Sequence, residues 1–484
     1  MVGSFFFYDL ETSGLKPRDD RIMQFGGQRT DLNLKPIGKP VNLLIKLTQD
    51  TLPSPEAVLI TGITPQQTVA EGLSEAQFLK YFYQQIVQPK TIFLGYNNIR
   101  FDDEFMRFLH YRNFYDAYEW HWDSNCSRWD LLDVVRMCRA LRPNGLKWAF
   151  QADGKPTNRL EQLTAVNKLK HNNAHDALHD VKATIELARL IHAKQPDLFD
   201  YLLSMRHKKN VQKLVQGGQP FIYTSGHYPS QYLHTSVVAL LAEQPEQNSA
   251  LVYDLRYDPR PFLNMTVDQL IDAWRFTKDQ SKLRLPVKTL KYNRSPAVAP
   301  LGVLQNETTK EELDLDLATI NQHLKILRKE SKTFGQKMLL ATVQLDERRA
   351  ISQTDLIDNQ LTVDARLYDG FLDQSDRELL RVVRAARPED LNGLLSDFHD
   401  PRLRILLPLY KARNFSDELS AQERTEWIDF IKRKLVGGET SSQLRQYLAR
   451  VKELNKPDLP DKQRLLLVEL KAWANTIKTV TELG

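Results

Sequence analysis

Phe5-Phe6-Phe7-Tyr8-Asp9-Leu10-Glu11-Thr12-Ser13-Gly14 is the stretch whose reading decides the fold. Four aromatic residues in a row form a short apolar run of the kind a strand buried on both faces requires. Asp9 and Glu11 follow at i and i+2, so on a continuing strand both carboxylates point to the same face. Two adjacent carboxylates repel, and burying them uncompensated costs several kcal/mol. A divalent cation compensates, and an all-oxygen donor set suits Mg²⁺ or Mn²⁺. Taken alone, Asp-x-Glu also reads as a strand running out into a solvated acidic turn.

Working outward, strands are expected over Arg21–Gln28, Val41–Leu47 and Thr91–Tyr96, and helices over Ser74–Ile86, Asp103–Phe114, Trp129–Leu141, Arg159–Leu169 and Ala174–Ala193. This is an α/β unit, a mixed sheet with helices on its faces, occupying residues 1–195. The texture changes at Gln195-Pro196. Short strands at 220–223, Ser236–Leu241, Ala250–Leu255 and Leu285–Val287 predict a small barrel or sandwich, interrupted by helices such as Lys310–Ser331. From about Thr354 the chain reads as all-helical: Ser375–Ala386, Glu389–Leu395, Pro401–Ala412, Gln422–Val436, Thr440–Leu454 and Asp461–Leu483. The expected division is therefore 1–195, 196–347 and 348–484, in keeping with 484 residues at roughly 150 per domain.

Two more acidic positions matter. Asp102 ends Gly95-Tyr-Asn-Asn-Ile-Arg-Phe-Asp, where a helix N-cap and a site ligand are compatible roles. In His171-Asn-Asn-Ala-His-Asp-Ala-Leu-His-Asp-Val, Asp176 and Asp180 lie one helical turn apart, as do His175 and His179. One reading is a solvated polar face. The other makes Asp180 a fourth carboxylate ligand, with His175 at the helix entry, where imidazole can take a proton near neutrality; Asp176 and His179 then remain solvated neighbours.

The order Asp-x-Glu, Asp, His-x-x-x-x-Asp resembles the DEDDh branch of the DnaQ-like 3′→5′ exonucleases, carried by Tyr8-Asp-Leu-Glu-Thr-Ser-Gly, Asn97-Asn-Ile-Arg-Phe-Asp and Asn173-Ala-His-Asp-Ala-Leu-His-Asp-Val. The resemblance implies a ribonuclease-H-like sheet, with Asp9, Glu11, Asp102 and Asp180 as ligands of two Mg²⁺ ions and His175 as general base. Two cations so held would clamp the attacking and leaving oxygens of a phosphodiester and release nucleoside 5′-monophosphates. Such a site needs only the first 195 residues. Within them Ala57-Val-Leu-Ile-Thr-Gly-Ile-Thr-Pro and Ser127-Arg-Trp-Asp-Leu-Leu-Asp-Val, and beyond them Gln195-Pro-Asp-Leu-Phe-Asp-Tyr-Leu, Leu324-Lys-Ile-Leu-Arg, Tyr368-Asp-Gly-Phe and Tyr410-Lys-Ala-Arg-Asn-Phe, are similar to the bacterial exodeoxyribonuclease I family, over nearly the whole chain. That family's pattern implies an SH3-like barrel and a helical domain closing a channel around single-stranded DNA, processive degradation, and service in DNA repair and recombination.

Residues 101–136 support a channel independently. Arg107, Arg112, Arg128 and Arg136 are interleaved with Tyr111, Phe114, Tyr115, Tyr118, Trp120, Trp122 and Trp129. Aromatic rings stack on bases without reading them and arginines hold phosphates; about half of these rings are expected to be core instead. Arg107, Tyr118, Trp122, Arg136 and Arg159 are the expected DNA contacts, Arg159 near the terminal nucleotide, and Glu11 is expected to meet the 3′-terminal sugar. The site residues do not separate DNA from RNA, since that choice depends on tolerance of a 2′-hydroxyl. An RNA-directed or proofreading exonuclease and an inactive strand-binding clamp are the competing readings.

Composition narrows the rest. With 26% charged residues, 42% hydrophobic residues and a net charge of +5, this is ordinary globular material with room for a locally basic surface. Cys126 and Cys138 are too few for a disulfide scaffold or a zinc ribbon, so buried free thiols and a reducing cytoplasm are expected. Met1–Tyr8 lacks the basic start of a secretory signal, and no run is long and apolar enough to span a membrane. A monomer is expected. The family resemblance also implies a partner, the acidic C-terminal tail of single-stranded DNA-binding protein. Arg142 and Arg328 match basic positions of its pocket, although the segment before Arg328 carries Asp314 and Asp316.

Overall fold

The structure, a computed structural model, describes residues 3–170, 176–275, 283–304, 307–353, 359–437 and 442–483. Its first sheet has five strands: β1 (Ser4–Thr12), β2 (Ile22–Thr30), β3 (Pro36–Leu44), β4 (Thr91–Gly95) and β5 (Ser127–Asp130), in the order β3-β2-β1-β4-β5. The first three form an antiparallel meander, while β4 and β5 lie parallel to β1. The aromatic run explains why β1 is central. Phe5 and Phe7 enter a core with Leu94 and Trp129 on one face, and Phe6 and Tyr8 pack with Phe25, Phe93 and Trp120 on the other. Alternation thus fills both faces with rings and leaves the strand's end for the acidic residues.

Helices Asp102–Arg112, Leu131–Leu141 and Ala177–Lys194 cover the sheet, joined by a two-stranded ribbon, β6 (Ala149–Phe150) with β7 (Pro156–Thr157), and helix Leu160–Val166. Two expectations are corrected. Trp129 belongs to the edge strand β5, and its helix begins only at Leu131, capped by the Asp130 carboxylate. The region expected as one helix over Lys310–Ser331 is broken. A short helix Glu307–Glu312 ends before Asp314, which takes φ +51°, and Asp316 accepts the N–H groups of Ala318 and Thr319 at the start of the 37-residue helix Leu317–Gln353.

The second sheet is antiparallel throughout: β8 (Phe221–Thr224), β9 (Thr235–Gln244), β10 (Ser249–Asp254), β11 (Val287–Lys291) and β12 (Ala297–Pro300), ordered β11-β10-β9-β8-β12. Both its faces are buried. Phe221, Tyr223, Ala250 and Val252 pack with Val211 and Val215 of helix Lys208–Val215. Ile222, Val237, Leu251 and Tyr253 join Phe334 and Met338 of the long helix, and this core is continuous with that of the first sheet through Trp129, Leu131 and Val135. At Gly335 a Cβ would stand 2.8 Å from the Leu241 carbonyl oxygen, so glycine lets the long helix close on β9. The helical region, from Asn359 onward, docks on the first unit through Tyr111 and Phe114 and through Val58. Among the described residues no helix is long and apolar enough to cross a membrane.

Candidate active site

Asp9 and Glu11 leave β1 on one face. Opposite Asp9 in the ladder is Gly26 of β2. A Cβ on Gly26 would stand 2.4 Å from the Ala177 carbonyl carbon, so only glycine lets the first turn of helix Ala177–Lys194 settle on the strand. Asp176 caps that helix by accepting the His179 N–H at 3.1 Å and also takes a hydrogen bond from the Gln24 amide at 3.2 Å. Asp176 is therefore a fixed cap and not a free solvated neighbour. One turn on, Asp180 reaches the strand: one oxygen each from Asp9, Glu11 and Asp180 lie within 4.8 Å of one another.

Asp102 arrives from the other side. After β4 the chain turns at Asn97, with φ +67°, and its N–H and that of Ile99 are held by the buried Asp130 carboxylate at 2.9 and 3.3 Å. Asp102 opens helix Asp102–Arg112, with Phe101 at the cap position, and its carboxylate accepts the Leu10 N–H at 3.1 Å, between Asp9 and Glu11 in sequence. Behind it, Asp103 is paired with Arg128 and accepts a hydrogen bond from the Tyr8 hydroxyl. Two helices thus start at the site, and their positive ends favour anionic groups there.

The electrostatics are those of carboxylates short of counter-charge. Burial first, then Asp102, Glu11, Asp180 and Asp176, hold the Asp9 carboxyl well above its usual range. Burial, then Asp180 and Asp176, push Glu11 up to about 8. Asp102 is raised by burial and by Asp103. Such a set is poised for a hard divalent cation, and an all-oxygen donor set fits Mg²⁺ or Mn²⁺. His175 lies outside the described residues.

The carboxylates open into a cleft of about 550 Å³ lined by Asp9, Asp180, Asn97, Arg136 and Arg159, and on the far side by Ser230 and His234 of the second sheet unit. Arg159 is exposed at its rim. Arg136 is held by Asp133 at 2.7 Å, and Asp133 also binds Arg100 at 2.8 Å. A second cleft, of about 320 Å³, lies between the first unit and the helical region; Tyr118 and Trp122 face Tyr368 and Phe371 across it. Phe371 is 91% exposed and Trp122 58%. Arg107 stacks on Tyr118, 5.2 Å from the ring centre, and pairs with Glu104. Of the interleaved rings, Tyr111, Phe114, Trp120 and Trp129 are core. His234, Tyr368 and Phe371 escaped the sequence reading as site residues. Tyr368-Asp-Gly-Phe stood out only as a likeness, because nothing local says that it faces Trp122.

Arg142 and Arg328 are not brought onto a common partner. Arg142 donates to the carbonyls of Leu141 at 2.6 Å and Val303 at 3.2 Å, across the seam to the second unit, and Arg328 donates to Gly218 at 2.7 Å. Cys126 and Cys138 are buried and free.

With this geometry in hand, family models match three consecutive parts of the chain: an exonuclease model over 6–188, an exonuclease I SH3-like domain over 206–341 and an exonuclease I C-terminal domain over 361–477. The exodeoxyribonuclease I of Escherichia coli is 38% identical over 471 residues, covering 96% of both chains. That of Haemophilus influenzae is 40% identical over 440 residues, covering 89% of this chain and 90% of its own. The chain belongs to the exodeoxyribonuclease I family. The fold agrees over nearly the whole chain: the crystal structure of E. coli exonuclease I with a dA16 oligonucleotide superposes with a TM-score of 0.90 at 37% identity, covering 98% of this chain and all of that one. Two further exonuclease I structures, each 36% identical over 99% of this chain, are a zinc-bound complex with single-stranded DNA, TM-score 0.89, and an SSB/exonuclease I structure with an inhibitor, TM-score 0.87. The expected order of exonuclease unit, SH3-like unit and helical C-terminal unit is thereby found.

Proposed function

We propose that this protein degrades single-stranded DNA processively from the 3′ end, releasing nucleoside 5′-monophosphates, in DNA repair and recombination. The observation that carries the proposal is the convergence of Asp9, Glu11 and Asp180 within 4.8 Å at the floor of an arginine-rimmed cleft. Asp9, Glu11, Asp102 and Asp180 are the residues assigned to hold two Mg²⁺ ions, with Mn²⁺ able to substitute. Bound there, such cations supply Lewis-acid polarisation of the phosphate and a more acidic water.

The chain's own groups do the rest. His175, five residues before Asp180, accepts the proton of the attacking water. Asp130 fixes the turn that delivers Asp102, and Gly26 sets the approach of Asp180. Arg159 at the rim holds the terminal nucleotide and Glu11 its sugar, while Arg136, oriented by Asp133, takes a backbone phosphate. Farther along, Trp122 and Tyr118 stack bases, with Tyr368 and Phe371 as the opposite wall and Arg107 beside them. Residues 1–195 do the cutting, and 196–347 and 348–484 provide the walls; helix Leu317–Gln353 runs unbroken across the 347/348 boundary between these two. Paired 5′-labelled DNA and RNA oligonucleotides with Mg²⁺ test the assignment. The expected result is a ladder shortening from the 3′ end, with DNA degraded faster. Equal or faster loss of RNA would make this an RNA exonuclease of the same superfamily.

The second part concerns a partner. A monomer in the cytoplasm, consistent with two buried thiols, would meet the acidic tail of single-stranded DNA-binding protein at the seam where Arg142 reaches Val303, with Arg328, hydrogen-bonded to Gly218 in the second unit, as the other basic position. A guanidinium suits a terminal carboxylate. Arg142→Ala should weaken a labelled tail peptide by about 1–3 kcal/mol in fluorescence anisotropy; equal affinity would exclude Arg142.

A further inference from the structure

Glu104 lies two residues past Asp102 on the same helix, and its carboxylate is shared three ways. One oxygen accepts from Arg107 at 2.6 Å and from Arg294 at 3.2 Å; the other accepts the Tyr368 hydroxyl. Arg107 belongs to the first unit, Arg294 to the turn between β11 and β12, and Tyr368 to the helical region. Lys291, at the end of β11, adds positive charge toward Glu104. Elsewhere the two accessory units pack on the first unit separately. Among the described residues, the clusters holding Val237 and Tyr223 draw no residue from the helical region, and those holding Leu403, Leu470 and Ile477 draw none from the second sheet unit. Arg294 and Tyr368 are 39% and 46% exposed, so this junction can break and re-form without opening a core.

We propose that Glu104 is a latch. It joins the sheet unit to the helical region beside the strand-binding cleft and sets how long the enzyme stays on one strand, without taking part in bond breaking. This rests on the reading that single-stranded DNA runs through the cleft between Trp122 and Tyr368. Removing the negative charge unties Arg294 and Tyr368 from a common point, so the two walls separate more often. The effect belongs in dissociation, where most substitutions at a binding surface act.

The test uses the full-length protein and a pre-bound 5′-labelled oligonucleotide. Reaction is started with Mg²⁺ together with an excess of heparin to capture released enzyme. Two quantities are read, the rate of the first cut and the number of nucleotides removed before release. For Glu104→Gln, runs should shorten at least about five-fold while the first cut stays within about two-fold of the parent. Arg294→Gln, at a part-exposed position, should behave alike should Glu104→Gln fold poorly. The double variant should be no worse than either single one, because both remove the same contact. Runs of parental length overturn the latch. Longer runs overturn it too, since Glu104 would then only mask two phosphate-binding arginines. A slower first cut would place Glu104 in the chemistry through Asp102 and overturn it equally. If the parent itself releases after each cut, the channel reading falls and the latch with it; a processive parent with unchanged variants removes the latch alone.

Discussion

Glu11 shows how a single residue carries both a cost and a use. Its carboxyl is raised to about 8 from an ordinary 4.5 by burial and by Asp180 and Asp176, so the cation-free folded protein keeps a proton that the unfolded chain releases. A raised acid of this kind stabilises the fold most below its unfolded value, and that contribution is lost as pH rises through the folded one. Asp9 and Asp102 shift in the same direction. In chelator, the melting temperature should therefore fall from about pH 5 to about pH 8, and Mg²⁺ should restore most of it at the upper end. A flat or rising profile in chelator would mean that the three carboxylates are not forced together. These residues were legible in the sequence because identity and spacing alone put Asp9 and Glu11 on one face. How firmly Asp176 is held was not: its cap on the His179 N–H is local, but the hydrogen bond to its other oxygen comes from Gln24 of β2, 152 positions away.

At the scale of elements, the site is made by how closely two of them approach. Gly26 takes no part in chemistry, yet a methyl group there would stand 2.4 Å from backbone of helix Ala177–Lys194. Backbone cannot swing aside as a side chain can, so Gly26→Ala should cost about 1–3 kcal/mol and push Asp180 away from Asp9. Denaturant unfolding measures the first effect. Half-saturation by Mg²⁺ in the cleavage assay measures the second, and it should rise at least about ten-fold, the equivalent of about 1.4 kcal/mol. Unchanged Mg²⁺ dependence would mean that the helix start is not what places Asp180. Elements were harder to read than residues. Four residues are too few for β5 to show alternation, and Trp129-Asp-Leu-Leu-Asp-Val carries apolar spacing that a helix satisfies equally well. Lys310–Ser331 read as continuous because propensity does not register that Asp314 adopts a left-handed turn and Asp316 restarts the helix.

At the scale of the molecule, two interfaces bind the accessory units, and they differ in kind. The second sheet shares one apolar core with the first, from Phe5 through Trp129 to Phe334. A 1–195 fragment would expose that core, so processivity is better probed in the intact chain. The helical region is tied down by a buried ionic cluster. Asp364 binds Arg21 at 2.7 Å and Arg413 at 2.7 and 2.8 Å, and Asp50 binds Arg413 at 2.8 Å and Lys434 at 2.9 Å. These cations hold the Asp364 and Asp50 carboxyls below the usual range, outweighing burial. Asp364→Ala leaves two buried guanidinium groups short of charge and should destabilise by about 3–5 kcal/mol, seen as an earlier denaturant midpoint. A loss below about 1 kcal/mol would show the cluster to be solvated. No sequence pattern pointed to it, since its five members are scattered from Arg21 to Lys434 and acquire meaning only in three dimensions.

The central claim, that the carboxylates at the end of β1 and the start of helix Ala177–Lys194 hold the cations of hydrolysis, is tested most directly by Asp180→Ala. Its turnover on single-stranded DNA with saturating Mg²⁺ should be compared with the parent's, alongside strand binding without Mg²⁺. Loss of one ligand and its charge should bring cleavage to background while binding, carried by Arg136, Arg159 and the aromatic cleft, survives in large part. Cleavage by Asp180→Ala near the parental rate would contradict the account.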